Sequence, residues 1–266
     1  MLLKDKVIMV SGIGPGLGVK LAVEAAREGA KGLVIGARTA DKLDDAERRV
    51  RAVNPKCELV KLPTDITNRD HCAAIVAAGV KKFGRIDGLV NSAFLHGDMD
   101  YVSSAKLDDW ISGPISTNLI GTLKLTQAVV PQMKKQGGGA IVMVNTMATR
   151  QIPPLGEAGY AASKAALANS AKYLAKELGP DKIRVNTVYM GWMWGAPVEG
   201  YFQWAASQPG AKATVAQMKA HVESDIALRE MPPDDDCAKA ALFFLSDYSR
   251  VVTGASLDVN GGHYMP

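Results

Sequence analysis

The stretch VSGIGPGLG, residues 10–18, joins an apolar run to an amphipathic one. Upstream, VIMV (7–10) is short, apolar and β-branched, as a buried strand requires. Downstream, LGVKLAVEAAREG (17–29) sets Leu17, Leu21 and Ala25 at helical spacing and reaches Gly29, a plausible C-terminal cap. A doubly wound sheet uses such a strand–turn–helix junction to offer free amide N–H groups to a phosphate. The spacing GxGxxG fails here, because it needs glycine at Leu17 or Val19. The spacing GxxxGxG fits once, with Gly12, Gly16 and Gly18, and leaves Gly14 and Pro15 in the slots between. A tight turn without a ligand uses glycine equally well, so the rest of the chain has to decide.

The same rhythm continues. Strands are predicted at 32–37, 57–63, 86–93, 138–146, 183–190 and 255–260. Helices are predicted at about 40–53, 69–83, 114–135 (with Pro114 in its first turn) and 158–178. Strands apolar on both faces, alternating with helices, imply an α/β, doubly wound Rossmann fold. The expectation is a seven-stranded, mostly parallel sheet with helices on both faces, residues 1–266 forming one domain. The departure is 190–233, read as a long loop or lid carrying Trp192, Met193, Trp194, Tyr201, Phe202 and Trp204. Such loops commonly bind substrate. An oligomer interface, or the lid's own core, accounts for these residues equally well.

Bulk properties exclude several functions. A net charge of +4 without a dense Lys/Arg block argues against nucleic-acid binding. Cys57, Cys72 and Cys237 are odd in number and widely spaced, which implies neither a disulfide framework nor a metal site, and suits a reducing compartment. The start MLLKDKVIMV has no signal-peptide pattern, and no run of 18 apolar residues occurs. A cytoplasmic protein with no membrane partner is expected.

The second strand ends GAR, at Ala37–Arg38. A carboxylate there would accept from the ribose 2′-hydroxyl of NAD and repel a 2′-phosphate; an arginine pairs with the phosphate. NADP(H) is therefore favoured over NAD(H). Stacking of Arg38 on adenine, or a solvated Arg38, is the competing reading. The helix at 158–178 carries YAASK, with Tyr160 and Lys164 on one face at i and i+4. A nearby ammonium favours the phenolate, bringing a tyrosine closer to acid–base work at neutral pH.

Together these features resemble the short-chain dehydrogenase/reductase family over nearly the whole chain. Its TGxxxGxG motif is matched by Ser11, Gly12, Gly16 and Gly18, with Leu17 inside it; its Asp after the third strand by Asp65, followed by Ile66; its NNAG by Asn91–Phe94, including Ala93. The helix asparagine is matched by Asn118, YxxxK by Tyr160 and Lys164, and the glycine-rich end by DVNGG (258–262). The resemblance implies that these residues, with Arg38 and Gly191, hold the cofactor. It further implies that Tyr160 moves a proton, that Lys164 lowers its pKa and binds the nicotinamide ribose, and that Asn118 supports a relay water.

Departures from the pattern concern the substrate. Aligning GAIVMVNT puts Thr146 at the family's catalytic serine and Asn145 beside it; either side chain offers a donor to a carbonyl oxygen. Thr146 stands one residue further from Tyr160 than is usual, an addition expected within the loop 150–159. Met190 replaces the proline before Gly191, and Phe94 replaces a glycine. Pro15 stands where some NADP-preferring relatives carry a base. Phe94, His96, Trp192 and Trp194 are further candidates for substrate contact; for His96 an exposed structural role is the alternative. The reading is an enzyme that interconverts a secondary alcohol and a ketone, acting on a bulky apolar or aromatic small molecule. The alternatives are a non-catalytic NADP-binding sensor or scaffold, and an NAD-dependent dehydrogenase of the same family. Family habit implies a homotetramer or homodimer.

Overall fold

The computed structural model describes residues 1–153 and 156–266. Seven strands form one sheet in the order β3-β2-β1-β4-β5-β6-β7. They are β1 (Val7–Ser11), β2 (Gly32–Ala37), β3 (Glu58–Pro63), β4 (Gly88–Asn91), β5 (Gly139–Thr146), β6 (Ile183–Met190) and β7 (Ser256–Val259). Every pairing is parallel. The order reverses direction between β1 and β4, the switch point at which such sheets open a crevice beyond their C-terminal ends.

Strand alternation divides the core into two layers. On one face Ile8 and Val10 of β1 pack with α1 (Leu17–Arg27), α2 (Ala40–Val53) and α9 (Asp234–Phe243). On the other, Val7 and Met9 pack with α3 (Arg69–Phe83), α5 (Thr122–Lys135) and α6 (Ala158–Leu178). Adjacent residues of a strand point to opposite faces, so a strand buried on both sides must be continuously apolar. Gly29 adopts φ +84 just after α1, the left-handed conformation that ends a helix.

Two expectations are corrected. The helix expected from 114 begins earlier, as α4 (Leu107–Trp110), and continues through a π-helical segment (Ile111–Gly121) into α5. Pro114 lies inside that wider segment rather than in a first turn. Proline has no N–H for an α-helical bond and its ring crowds the preceding turn, so the backbone departs from α geometry there. The stretch 190–233, in turn, is not an irregular loop. It contains α7 (Ala196–Ser207) and α8 (Val215–Asp225) around a small core of Phe202, Ile226 and Met231.

Candidate active site

The glycines of the first turn are not equivalent. Gly12 adopts φ +86, and a side chain there would collide with the backbone of Ala93. The N–H groups of Gly12 and Ile13 both donate to the Gly36 carbonyl, at 2.9 and 3.1 Å. A side chain on Gly18 would strike the Gly12 carbonyl oxygen, so α1 sits directly on the turn. Gly16 faces the ring of Pro197 at the start of α7, whereas Gly14 faces open space. Gly16 is also the N-cap of α1; no side chain caps it and no acidic residue lies in the first turn. The Val19 N–H donates to the Gly14 carbonyl at 3.3 Å, and the amides before it keep the positive end of α1 available to an outside acceptor.

Around this turn two polar atoms are buried without partners, Ser11 Oγ and Asn91 Oδ1. They belong to residues in register on β1 and β4, at the switch point. The Asn91 amide donates to Thr126 Oγ1 at 3.2 Å, which fixes its orientation. Arg38, just beyond β2, is exposed and makes no ion pair among the described residues. Burial opposes ionisation of Asp65, but bonds from Thr67 Oγ1 (2.7 Å) and Thr67 N (2.9 Å), helped by Arg38 and His71, hold its carboxyl below the usual range. Ile66 is buried against the turn of helix at Gly121. Gly191 donates to the Val259 carbonyl at 3.1 Å and packs on Asn260, leaving no room for a side chain.

The second half of the site lies at the end of β5 against α6. Lys164 is 2% exposed, and its ammonium donates to the Val144 carbonyl at 2.7 Å. Its Nζ lies 5.9 Å from the centre of the Tyr160 ring. Desolvation lowers the Lys164 pKa to about 7. Tyr160 moves the other way. Burial first, and then the Glu157 carboxylate, push the phenol above its ordinary range, while the Thr146 hydroxyl draws it down. Burial and Glu157 thus set the direction for Tyr160 without cofactor, opposite to the lowering expected from Lys164.

Thr146 and Asn145 separate cleanly. Asn145 is 2% exposed; it accepts from the Thr146 N–H at 2.8 Å and donates to the Lys164 carbonyl at 2.9 Å. Its amide bonds through both nitrogen and oxygen, and the nitrogen ties β5 to α6. Thr146 Oγ1 accepts from Ala148 N at 3.2 Å, and its hydroxyl is also within hydrogen-bonding reach of the Tyr160 phenol. Asn118 is fully buried; it accepts from Leu95 N (2.7 Å) and donates to Leu95 O and to Ser163 Oγ (both 2.9 Å). Its side chain clamps the loop after β4 to the start of α6.

That clamp brings two substrate candidates to Tyr160. The Phe94 ring, 58% exposed, lies 6.0 Å from the Tyr160 ring, and the His96 imidazole stacks on Tyr160 at 4.8 Å. Trp192 and Trp194 instead pack on Phe202, inside the small core of 190–233. The residue missed in the sequence is Glu157, which pairs with His96 at 2.7 Å from 61 positions away. The loop 150–159, where an added residue was expected, includes Pro154 and Leu155, which lie outside the described residues.

A parallel sheet with a glycine turn at its switch point and a Tyr–Lys pair on an adjoining helix defines a class of nucleotide-dependent oxidoreductases. Residues 12–264 match the family model described as enoyl-(acyl carrier protein) reductase. The chain is 32% identical to the 3-oxoacyl-[acyl-carrier-protein] reductase FabG of Thermotoga maritima over 262 residues, covering 98% of this chain and 99% of that one. It superimposes on L-sorbose reductase from Gluconobacter frateurii, solved with NADPH and L-sorbose, with a TM-score of 0.90 at 25% identity, over 99% and 98% of the two chains. It also superimposes on carveol dehydrogenase from Mycobacterium avium, solved with NAD, with a TM-score of 0.89 at 26% identity over 98% of each. The chain belongs to the short-chain dehydrogenase/reductase family and is an oxidoreductase of the kind that binds NAD(P) and acts on CH–OH groups. Among the described residues, no helix is long and apolar enough to cross a membrane.

Proposed function

We propose that this protein interconverts a secondary alcohol and a ketone with NADP(H), using Tyr160 as the proton-transfer residue. The observation that carries the reading is the convergence of the Tyr160 phenol, the Thr146 hydroxyl and the buried Lys164 ammonium where β5 meets α6. The residues around the first turn fit a dinucleotide. Ser11 Oγ and Asn91 Oδ1 are buried without partners, and the start of α1 is uncapped, as expected of groups that bond a ligand. Ser11, Gly12, Gly16, Leu17 and Gly18 would hold the pyrophosphate side, Asp65 and Ile66 the adenine, and Asn91, Ala93, Gly191, Tyr160 and Lys164 the nicotinamide half. The free guanidinium of Arg38 supports a 2′-phosphate. When bound, the cofactor supplies or accepts the hydride.

In the reductive direction Thr146 Oγ1–H donates to the carbonyl oxygen and polarises it. The Tyr160 hydroxyl then gives its proton to the same oxygen as negative charge develops there. Oxidation is the reverse, and needs the phenolate. Lys164 contributes a positive charge whose proton is held loosely, and Asn118 ties Ser163, its neighbour on α6, to Leu95 in the loop after β4. The name of the matched family model suggests enoyl reduction, but the four-residue step from Tyr160 to Lys164 favours carbonyl chemistry, since enoyl reductases space these two residues more widely.

Phe94, exposed beside Tyr160, supports a bulky apolar or aromatic substrate, with 190–233 as its lid. The last strand and the 253–266 tail, by family habit, support a homo-oligomer, a tetramer or a dimer. Three free, buried thiols are compatible with a reducing cytoplasm. The test is a titration with NADP(H) and NAD(H), followed by a panel of terpene, steroid and aryl ketones. Turnover that Tyr160→Phe abolishes supports the reading. Near-wild-type turnover in that variant sinks it. Nucleotide binding without turnover on any ketone would instead indicate a sensor.

A further inference from the structure

Glu157 occupies the N-cap of α6, and its side chain makes no capping bond. Its carboxylate turns to His96 Nε2 at 2.7 Å, in a pair whose side chains are 14% and 35% exposed. The backbone reinforces this: Glu157 forms a bridge with Asp100, and Asp100 in turn accepts from Trp110 Nε1 at 3.3 Å. The His96 ring lies 4.8 Å from the Tyr160 ring at an interplanar angle of 18°, a stacked pair. The start of α6 therefore grips the loop after β4 so as to lay an imidazole flat on the phenol.

We propose that His96 and Glu157 are positioning residues for Tyr160: the imidazole fixes the plane of the phenol, and the carboxylate sets the charge beside it. This rests on Tyr160 as the reacting acid–base group. The charged groups facing the phenol are Glu157 at the N-terminus of its own helix, His96 from the loop after β4, and Lys164 one turn on; the Asp100 side chain is turned to Trp110. The Glu157 carboxylate beside the phenol favours its protonated form.

The test reads Tyr160 directly and needs no substrate. The full chain is labelled with [ζ-13C]tyrosine, and Tyr160→Phe identifies one of the seven signals. Glu157→Gln is expected to let the Tyr160 signal begin its move to the phenolate position at lower pH than in wild type. His96→Ala is expected to shift the signal by removing the stacked ring, and His96→Phe to restore it. On any substrate found in the panel, His96→Ala lowers kcat severalfold with KM within twofold, and His96→Phe recovers most of kcat. A Tyr160 signal unchanged in position in His96→Ala, and unchanged in its pH response in Glu157→Gln, overturns the proposal. Turnover by Tyr160→Phe would overturn the catalytic reading instead, and leaves the spectroscopic arm standing.

Discussion

Lys164 Nζ donates to the Val144 carbonyl at 2.7 Å from a position almost sealed from water. The bond anchors α6 to the end of β5 and keeps a cation in the interior. An isolated ammonium is costly there, and desolvation brings its pKa from 10.5 to about 7. Between those values the unfolded chain binds more protons than the folded one, so stability rises with pH. Lys164→Met removes this dependence. The wild type should gain stability relative to Lys164→Met between pH 7 and pH 10, by on the order of a few kcal/mol, as read by urea unfolding at fixed ionic strength. Turnover should be lost in the variant at every pH. A constant stability difference across that range would show that Lys164 keeps its ordinary pKa.

Thr146 is expected to act through its hydroxyl alone. Its Oγ1 accepts from Ala148 N, and in the proposed mechanism its hydroxyl donates to the substrate oxygen. Thr146→Ser should retain turnover within a few-fold. Thr146→Ala should lose about 100-fold in kcat, the scale of one removed oxyanion donor, and about 1 kcal/mol of stability from the lost turn bond. Equal turnover in the alanine and serine variants would remove Thr146 from the mechanism. Because the Asn145 amide is engaged on both sides, Asn145→Ala should act chiefly on stability, measured by thermal unfolding.

Much of this was legible in the chain, for physical reasons. A parallel strand buried on both faces is continuously apolar, so 32–37 and 183–190 end where the strands end. Tyr160 and Lys164 share one helix, so spacing alone brings them together. The errors arose where local signals conflict or distance intervenes. Leu107 and Ile111 are exposed, so the early part of the long helix lacks a buried stripe, and Pro114 looked like a first-turn residue. For α8 a signal was present: Thr214 and Gln217 form a capping box, the Thr-x-x-Gln pattern that marks a helix start. The His96–Glu157 pair joins a loop to a helix end across 61 positions, and no periodicity encodes that.

The glycines yield a contrast that isolates packing from ligand binding. A Cβ at position 18 would strike the Gly12 carbonyl oxygen and approach its carbon at 2.9 Å, so the rigid turn would have to move. Gly18→Ala should be destabilised by more than about 2 kcal/mol, in the range of overpacked cores. Gly14 has nothing within 4 Å of such a Cβ, and its φ is not positive. Gly14→Ala should unfold within a degree or two of wild type by calorimetry. Comparable losses in the two variants would mean that the turn is sensitive to any side chain rather than to this one contact.

On the proposed reading, the choice of nucleotide should rest on Arg38. It is exposed at the end of β2, close enough to Asp65 to help keep that carboxyl ionised, and it makes no ion pair among the described residues. Its guanidinium is thus free for a phosphate, and a charge-assisted pair is worth about 1.5–3 kcal/mol. Pro15 in the glycine turn brings no second cation, so the discrimination should rest on one residue. Arg38→Ala should weaken NADPH binding by about 10- to 100-fold, as that energy implies, while NADH binding changes by less than about threefold. The loss should shrink at high salt, because the pair is open to solvent. Fluorescence titration of the two reduced cofactors checks both numbers. Tighter NADH than NADPH binding in the wild type, unchanged in Arg38→Ala, would make this an NAD enzyme and would leave Arg38 to stack on adenine or face solvent.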